Sequence, residues 1–430
     1  MPIEASQGMK NWFNWRQKNP DSTRREEEAI AELRREGRKI INLSGASIPR
    51  YKEDRDEGCV NSVATRHLVE AARNEDWGTY PASSADLGVG ENAVYKLKLA
   101  VAGFLKRYCG IDAAAAEHVL IGNATTACFA IVQLALLNPG DETVTIEPSH
   151  YPWEEYKTVL MVQGSIQTVS SDPDNHWQPN FDELRKKINK RTKAIAINQP
   201  TNPTGIIYDD KTIKNIVDIA GEHDLPIISD EMYQLITFDG LKTRSVASQS
   251  KDVPVIVTGS MSKFFMKPGW CVGYAYLQDP AGKMRELEKS AFLISNTPGF
   301  GGTRVPTPIL VAAAKTYSDP EAINESFRMV KSLQAKRDWT CKRINQIPGL
   351  SIQPPQASLY GFFRVKEIGQ RNSRWKDDYE FVLDMLKKQG VLLRPGQKMG
   401  KSGFGHVRTL LYRNTQVLEE AYDKLETFMK

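Results

Sequence analysis

Between Val119 and Leu277 the chain alternates short apolar runs with longer amphipathic ones, and no other feature limits its fold so strongly. The apolar runs fall at 118–121, 143–146, 165–169, 194–198, 225–229, 253–257 and 272–277. They are too short for helices, rich in β-branched residues and bounded by Gly, Pro, Asn or Asp, so they predict buried strands. Between several of them, 123–137, 181–188 and 213–223 carry apolar residues at helical spacing. Strands that alternate with helices predict an α/β domain, a mostly parallel sheet covered by helices on both faces. After residue 299 the rhythm changes. A helical stretch at 308–346, interrupted near Ser318-Asp319-Pro320, precedes strands at 350–353, 360–365, 391–394 and 405–412 and helices at 377–389 and 415–429. That order predicts a smaller α+β domain. Upstream, 23–39 and 93–108 read as amphipathic helices, with a short strand at 39–43. The expected division is 1–52 as an N-terminal arm joining the small domain, 53–300 as the large domain and 301–430 as the small one.

A chain of 430 residues is long enough for two or three domains with a large core. Its net charge of +5 is spread over 57 basic and 52 acidic residues, which argues against a nucleic-acid partner. No apolar run approaches the ~18 residues of a membrane span. Residues 1–20 are polar and lack the apolar centre of a signal peptide. The five cysteines, Cys59, Cys109, Cys128, Cys271 and Cys341, form no CxxC pair, so neither a disulfide framework nor a metal site is expected. The expected setting is a reducing cytoplasm.

Four predicted loops carry chemistry, and all follow strand ends, the edge where parallel α/β sheets bind ligands. Asn123-Ala124-Thr125 opens a helix, where free backbone N–H groups and the helix dipole favour an anion such as phosphate. The same residues are also ordinary helix caps. Asn198-Gln199-Pro200-Thr201-Asn202-Pro203-Thr204-Gly205 is a stiff turn that holds Asn202 to bond a planar ligand. Asp230 follows an apolar strand, and a carboxylate buried there needs a cationic partner or a capping role. A protonated pyridine nitrogen would be such a partner, with Tyr233 three residues on able to reach the same ring. Finally, Ser260-Met261-Ser262-Lys263 supplies hydroxyls for phosphate and an amine able to trap an aldehyde. Taken alone, Lys263 reads as a surface lysine in a polar loop; taken with the other three loops it reads as the anchor of pyridoxal 5'-phosphate (PLP).

In order and spacing these motifs resemble the class I/II aminotransferases, PLP enzymes of fold type I. Asn-x-Pro-x-Asn-Pro-Thr-Gly stands at Asn198 to Gly205, Asp-x-x-Tyr at Asp230 to Tyr233, Ser-x-Ser-Lys at Ser260 to Lys263, and a late Val407-Arg408 precedes an apolar strand. The resemblance spans about 43–429. It implies Lys263 as Schiff-base lysine and proton shuttle, Asp230 on the pyridinium nitrogen, and Asn202 and Tyr233 on the ring oxygen. It implies phosphate contacts from Asn123, Ala124, Thr125, Ser260 and Ser262, with Asn202 and Arg408 binding the substrate, Arg408 as a bidentate fork for its α-carboxylate. Tyr80 would reach a partner subunit's phosphate in a homodimer with shared active sites.

Three positions depart from the family pattern. Cys271 stands where an arginine usually meets the phosphate, and a thiol cannot supply that charge. Lys267 is a possible stand-in, although a solvent-facing lysine is an equal reading. The ring-stacking aromatic falls at His150 or at Tyr151, and Asn123 replaces a commoner glycine. The expected reaction is transfer of the amino group of an L-amino acid to a 2-oxo acid. The alternative keeps fold and cofactor but performs β/γ-replacement, cyclisation or O2-dependent oxidation. A PLP-sensing regulator is disfavoured, because only about forty residues precede Ile41, too few for a DNA-binding head.

Overall fold

The structure, a computed structural model, describes residues 6–10, 22–45, 60–74, 92–150, 161–296 and 305–430. Tyr80, Tyr151 and Cys59 lie outside these residues.

Near the N-terminus stand α1 (Ser22–Arg35), β1 (Ile41–Asn42), α2 (Ser62–Asn74) and α3 (Ala93–Cys109). A seven-stranded sheet follows. It holds β2 (Val119–Asn123), β3 (Glu142–Ile146), β4 (Ser165–Val169), β5 (Thr192–Asn198), β6 (Ile227–Asp230), β7 (Val255–Ser260) and β8 (Val272–Gln278), in the order β2-β8-β7-β6-β5-β3-β4. Only β8 runs against its neighbours, β2 and β7; the other pairs are parallel. The central strands are largely apolar because both faces are covered, whereas the edge strand β4, Ser165-Ile166-Gln167-Thr168-Val169, is only partly buried. Ile195, Ile197, Ile227, Val255 and Val257 enter one core cluster, which includes Leu97 and Val101 of α3. Ala194, Ala196, Ile228 and Ile256 enter another, against Cys128, Phe129 and Val132 of α4 (Ala124–Leu136) and Ala291 of α5 (Arg285–Asn296). Successive side chains of one strand thus serve opposite faces, as the pleat requires.

The expected strands are all present, and β2, β6, β7 and β8 end further along than expected. β6 extends to Asp230 and β7 to Ser260, so both polar residues sit on strand ends, in register with Asn198 and Gly273 respectively.

Past residue 305, α6 (Thr307–Ser318) packs on α2 and α3. Pro320 then starts α7 (Pro320–Asn345), whose cap Asp319 accepts a hydrogen bond from Glu321 N–H at 2.8 Å. The smaller sheet is antiparallel and comprises β9 (Leu350–Ile352), β10 (Tyr360–Val365), β12 (Arg394–Pro395) and β13 (His406–Leu410), in the order β9-β10-β13-β12. The expected strand at 391–394 is split. β11 (Val391–Leu392) pairs in parallel with β1, while Arg394 and Pro395 join β13. The split arises because the N-terminal segment crosses to this sheet. Ala29 and Leu33 of α1 pack with Leu386 of α8 (Asp378–Gln389) and with Leu392.

Among the described residues no helix is long and apolar enough to cross a membrane. No group of three or more His, Cys, Asp or Glu that could hold a metal ion occurs among them either.

Candidate active site

The carboxyl ends of β2, β5, β6 and β7 converge on a cavity of about 180 Å³. Lys263, Asp230, Tyr233, Asn202, Ser262 and His150 all line it, together with Ala124 and Thr125 at the start of α4. Parallel strands place their carboxyl ends at one edge, which brings residues distant in sequence to one pocket.

Asp230 is buried, and its Oδ1 accepts a hydrogen bond from Met232 N–H at 3.3 Å. Burial pushes its carboxyl up to about 7, against the opposing pull of the Met232 N–H and the Lys263 charge. A carboxylate sunk at a cavity wall is costly unless a cation meets it there. Asp230 heads no helix; a turn follows it.

Asn202 is fixed by its neighbours. Asn202 N–H donates to Asn198 Oδ1 at 2.6 Å, and Asn198 Nδ2 donates to the Asp230 carbonyl at 2.9 Å. The turn after β5 is thereby stitched to β6. Asn202 Nδ2 in turn donates to Tyr233 Oη at 3.3 Å, so the two groups expected on one ring oxygen are already adjacent. His150 is held in the same wall, its N–H donating to the Asn202 carbonyl at 2.8 Å.

Arg408 is buried, 3 % exposed. Its Nη1 donates to Asn202 Oδ1 at 3.0 Å and its Nη2 to the Ser44 carbonyl at 2.5 Å. The guanidinium lies 3.9 Å from the centroid of the Tyr360 ring, a cation–π contact. Burial lowers its pKa to about 10. Tyr360, absent from the sequence expectations, lines the same cavity and stands edge-on to Tyr233, ring centroids 6.2 Å apart. Burial works to raise both phenols. Tyr233 is left well above its ordinary range, whereas the Arg408 and Lys263 charges hold Tyr360 below its own. Tyr360 is thus the more acidic partner.

The end of the cavity near α4 differs in detail from expectation. The Ala124 N–H donates to the Cys271 carbonyl at 2.7 Å, so this donor is already engaged. Thr125 Oγ1 donates to the Gly259 carbonyl at 3.2 Å, and Ser260 Oγ accepts from Ser262 N–H at 3.0 Å. Ser262 lines the cavity, while Ser260 lines a smaller neighbouring one. The Asn123 Oδ1 is buried without a partner among the described residues. Cys271 is exposed at φ 53°, and its Sγ is 3.7 Å from the Pro268 carbonyl. Lys267 does not face solvent. It is 8 % exposed, and its Nζ donates to Thr65 Oγ1 of α2 at 2.8 Å rather than lining the cavity.

These residues fit PLP. Lys263 offers an amine at the cavity, the buried Asp230 awaits a cation there, and the start of α4 with Ser262 forms a polar end for an anion.

Residues 65–425 match the family described as aminotransferase class I and II. An aspartate aminotransferase of Pyrococcus abyssi is 30% identical over 356 residues, 82% of this chain and 87% of that protein. A glutamate-pyruvate aminotransferase of Haemophilus influenzae is 27% identical over 92% of each chain. Among solved structures, an alanine aminotransferase from Pyrococcus furiosus superimposes with a TM-score of 0.81 at 33% identity, covering 93% of this chain and 95% of that one. The chain belongs to the class I and II aminotransferases, PLP-dependent enzymes of fold type I.

Proposed function

We propose that the cavity transfers the amino group of an L-amino acid to a 2-oxo acid, with Lys263, Asp230, Asn202, Tyr233 and Arg408 as its working residues. One observation carries this reading: Lys263 and the buried Asp230 line one cavity that the Asn202–Arg408 pair borders.

When bound, PLP supplies an electron sink that stabilises negative charge at the substrate Cα. Lys263 would hold the cofactor's aldehyde through its amine, and as a free amine it would carry the proton at the substrate Cα. Asp230 would keep the ring nitrogen protonated, and the charge it would meet there offsets the burial that otherwise favours its neutral form. Asn202 and Tyr233 would donate to the ring oxygen. Arg408 takes the α-carboxylate with its planar fork and orients the Cα–H bond. With the Ala124 N–H taken by the Cys271 carbonyl, Ser262 and the Thr125 N–H at the start of α4 would hold the phosphate. We further propose a homodimer with shared sites, resting on the family resemblance at Tyr80, and a cytoplasmic location, which the free thiols of Cys109, Cys128, Cys271 and Cys341 favour.

The test is to incubate PLP-loaded protein with single L-amino acids and a 2-oxo acid and to quantify products. The expected result is one new amino acid per new 2-oxo acid. Ammonia release or oxygen uptake in their place would overturn the proposal. Light scattering on the eluting peak gives the oligomeric state, and a monomer that transfers amino groups rules out shared sites.

A further inference from the structure

Beside the cofactor cavity lies a second, smaller one that no step of the proposed reaction uses. Met232 borders both, so the two are neighbours. The smaller one is lined by Glu231 and Gln234 after β6, by Ser260 at the end of β7, by Phe265 two residues past Lys263, and by Tyr317 of α6. Much of its wall is aromatic: Tyr317 stands edge-on to Phe265, ring centroids 5.0 Å apart, and to Phe104 at 5.1 Å. Within this wall stand a carboxyl, a carboxamide and a hydroxyl, for Glu231, Gln234 and Tyr317 are 4 %, 5 % and 3 % exposed. The carboxyl of Glu231 is fixed from one side, where its Oε1 accepts from Ser229 Oγ at 3.0 Å, Ser245 Oγ at 3.0 Å and Val246 N–H at 2.9 Å. Its Oε2, both polar atoms of the Gln234 side chain and the Tyr317 Oη are buried with no partner among the described residues. Buried polar groups are nearly always paired, with protein or with ordered water. The cavity measures about 20 Å³, and one water needs roughly 10–15 Å³ and takes about three hydrogen bonds. Carboxyl, carboxamide and hydroxyl supply that number.

We propose that this cavity binds one water molecule through Glu231, Gln234 and Tyr317, and that Glu231, acting through it, is a positioning residue for Asp230 and Lys263. The water ties the turn that begins at Asp230 to α6, across a cavity whose far wall is the segment following Lys263. Asp230 and Lys263 are thereby braced from behind by one hydrogen-bonded particle. The inference rests on the reading of Asp230 and Lys263 as working residues.

The test joins a crystal structure of the PLP-loaded protein, at a resolution that shows ordered water, to the kinetics of three variants. One water within hydrogen-bond distance of Glu231 Oε2, the Gln234 carboxamide and Tyr317 Oη is expected. Tyr317→Phe and Glu231→Leu each remove one partner. Both are expected to lower kcat about tenfold with KM for the amino acid within about twofold, because the displaced groups do the chemistry while Arg408 is untouched. Glu231→Gln keeps a polar atom at each carboxyl position and is expected to hold kcat within about threefold of the native value. Should Glu231→Leu fold poorly, Tyr317→Phe carries the comparison alone. The circular dichroism of bound PLP, read without substrate, is expected to weaken in Tyr317→Phe and Glu231→Leu and not in Glu231→Gln. No water at this place, or a kcat and a dichroism that Tyr317→Phe and Glu231→Leu leave unchanged, overturns the proposal. Amino transfer that persists unchanged in both variants removes the water bridge and leaves the proposed function standing. The water and the expected dichroism, in a protein that transfers no amino group, do the reverse.

Discussion

Arg408 is held on two sides, by Asn202 Oδ1 and the Ser44 carbonyl, so little freedom is left for its fork to lose when a carboxylate arrives. Arg408→Lys keeps the charge but not the bidentate geometry. Charge-assisted hydrogen bonds contribute roughly 1.5–3 kcal/mol, so KM for the amino acid should rise roughly 10- to 100-fold with a smaller change in kcat. Steady-state kinetics checks this, and an equal loss in kcat would instead place Arg408 in the chemistry. Tyr360 makes a second prediction. Negative charge on Tyr360 is one reason Tyr233 titrates so high, so Tyr360→Phe should lower the Tyr233 pKa. Because Tyr233 must stay protonated to donate, the alkaline limb of the pH profile of kcat/KM should move to lower pH in the variant. Lys263, Asp230, Asn202 and Arg408 were legible because each sits in a short string with a distinctive spacing. Tyr360 was not: Leu359-Tyr360-Gly361 is an ordinary strand sequence, and only the pairing of β10 with β13 brings its ring beneath Arg408.

Close pairing of β2 with β8 determines where α4 begins, and Gly273 is the point of nearest approach. A Cβ at Gly273 would lie 2.2 Å from the Ala124 carbonyl carbon and 2.4 Å from Thr125 N. Both are backbone atoms that cannot swing aside, so Gly273→Ala must displace the start of the helix. The expected cost is about 1–3 kcal/mol of stability. PLP affinity should fall with it, by tenfold or more, since each ~1.4 kcal/mol lost at the phosphate end is a factor of ten. Denaturant unfolding and cofactor titration read the two effects separately, and a variant that loses neither contradicts the placement. The large-sheet strands were legible because burial on both faces makes the central ones largely apolar, and because β-branched residues mark β3 and β4. The division at 391–394 was not legible, because the partner of Val391 and Leu392 is β1, some 350 residues earlier in the chain. Helices α2 and α5 also escaped the sequence reading. The buried residues of α5, Ala291 and Ser295, lie in its second half, and its first turn, with Arg285, Glu286 and Glu288, reads as a solvated segment.

Across the whole molecule, Asp230, Glu231 and Asp378 are pushed up to about 7, each chiefly by burial. A carboxyl whose folded pKa is raised binds its proton more tightly folded than unfolded. Its contribution to stability is complete below the ordinary carboxylate range, about 4, and is lost as pH rises through about 7. Asp378 lies away from the cavity lining, so it isolates the effect. Asp378→Asn should flatten the decline of the urea midpoint between about pH 4 and pH 7 relative to the native chain, and an unchanged slope would rule out its titration as a cause. The two-sheet architecture itself was readable from the change in rhythm near residue 299. How the sheets are joined was not, because the contacts that join them run between segments remote in sequence. Arg408 is one such join: through it the carbonyl of residue 44, the side chain of residue 202 and the ring of residue 360 share one guanidinium. A carboxylate ligand that completes this guanidinium therefore tightens a junction as well as filling a cavity. At a concentration near 100 times its Kd, such a ligand adds about 2.7 kcal/mol to the unfolding free energy. Added amino acid should consequently slow amide hydrogen exchange in β1 and β13, which meet at the junction, more than in β4 at the far edge of the large sheet. Substrate binding would then be recorded in the breathing of an N-terminal strand that itself touches no reacting atom.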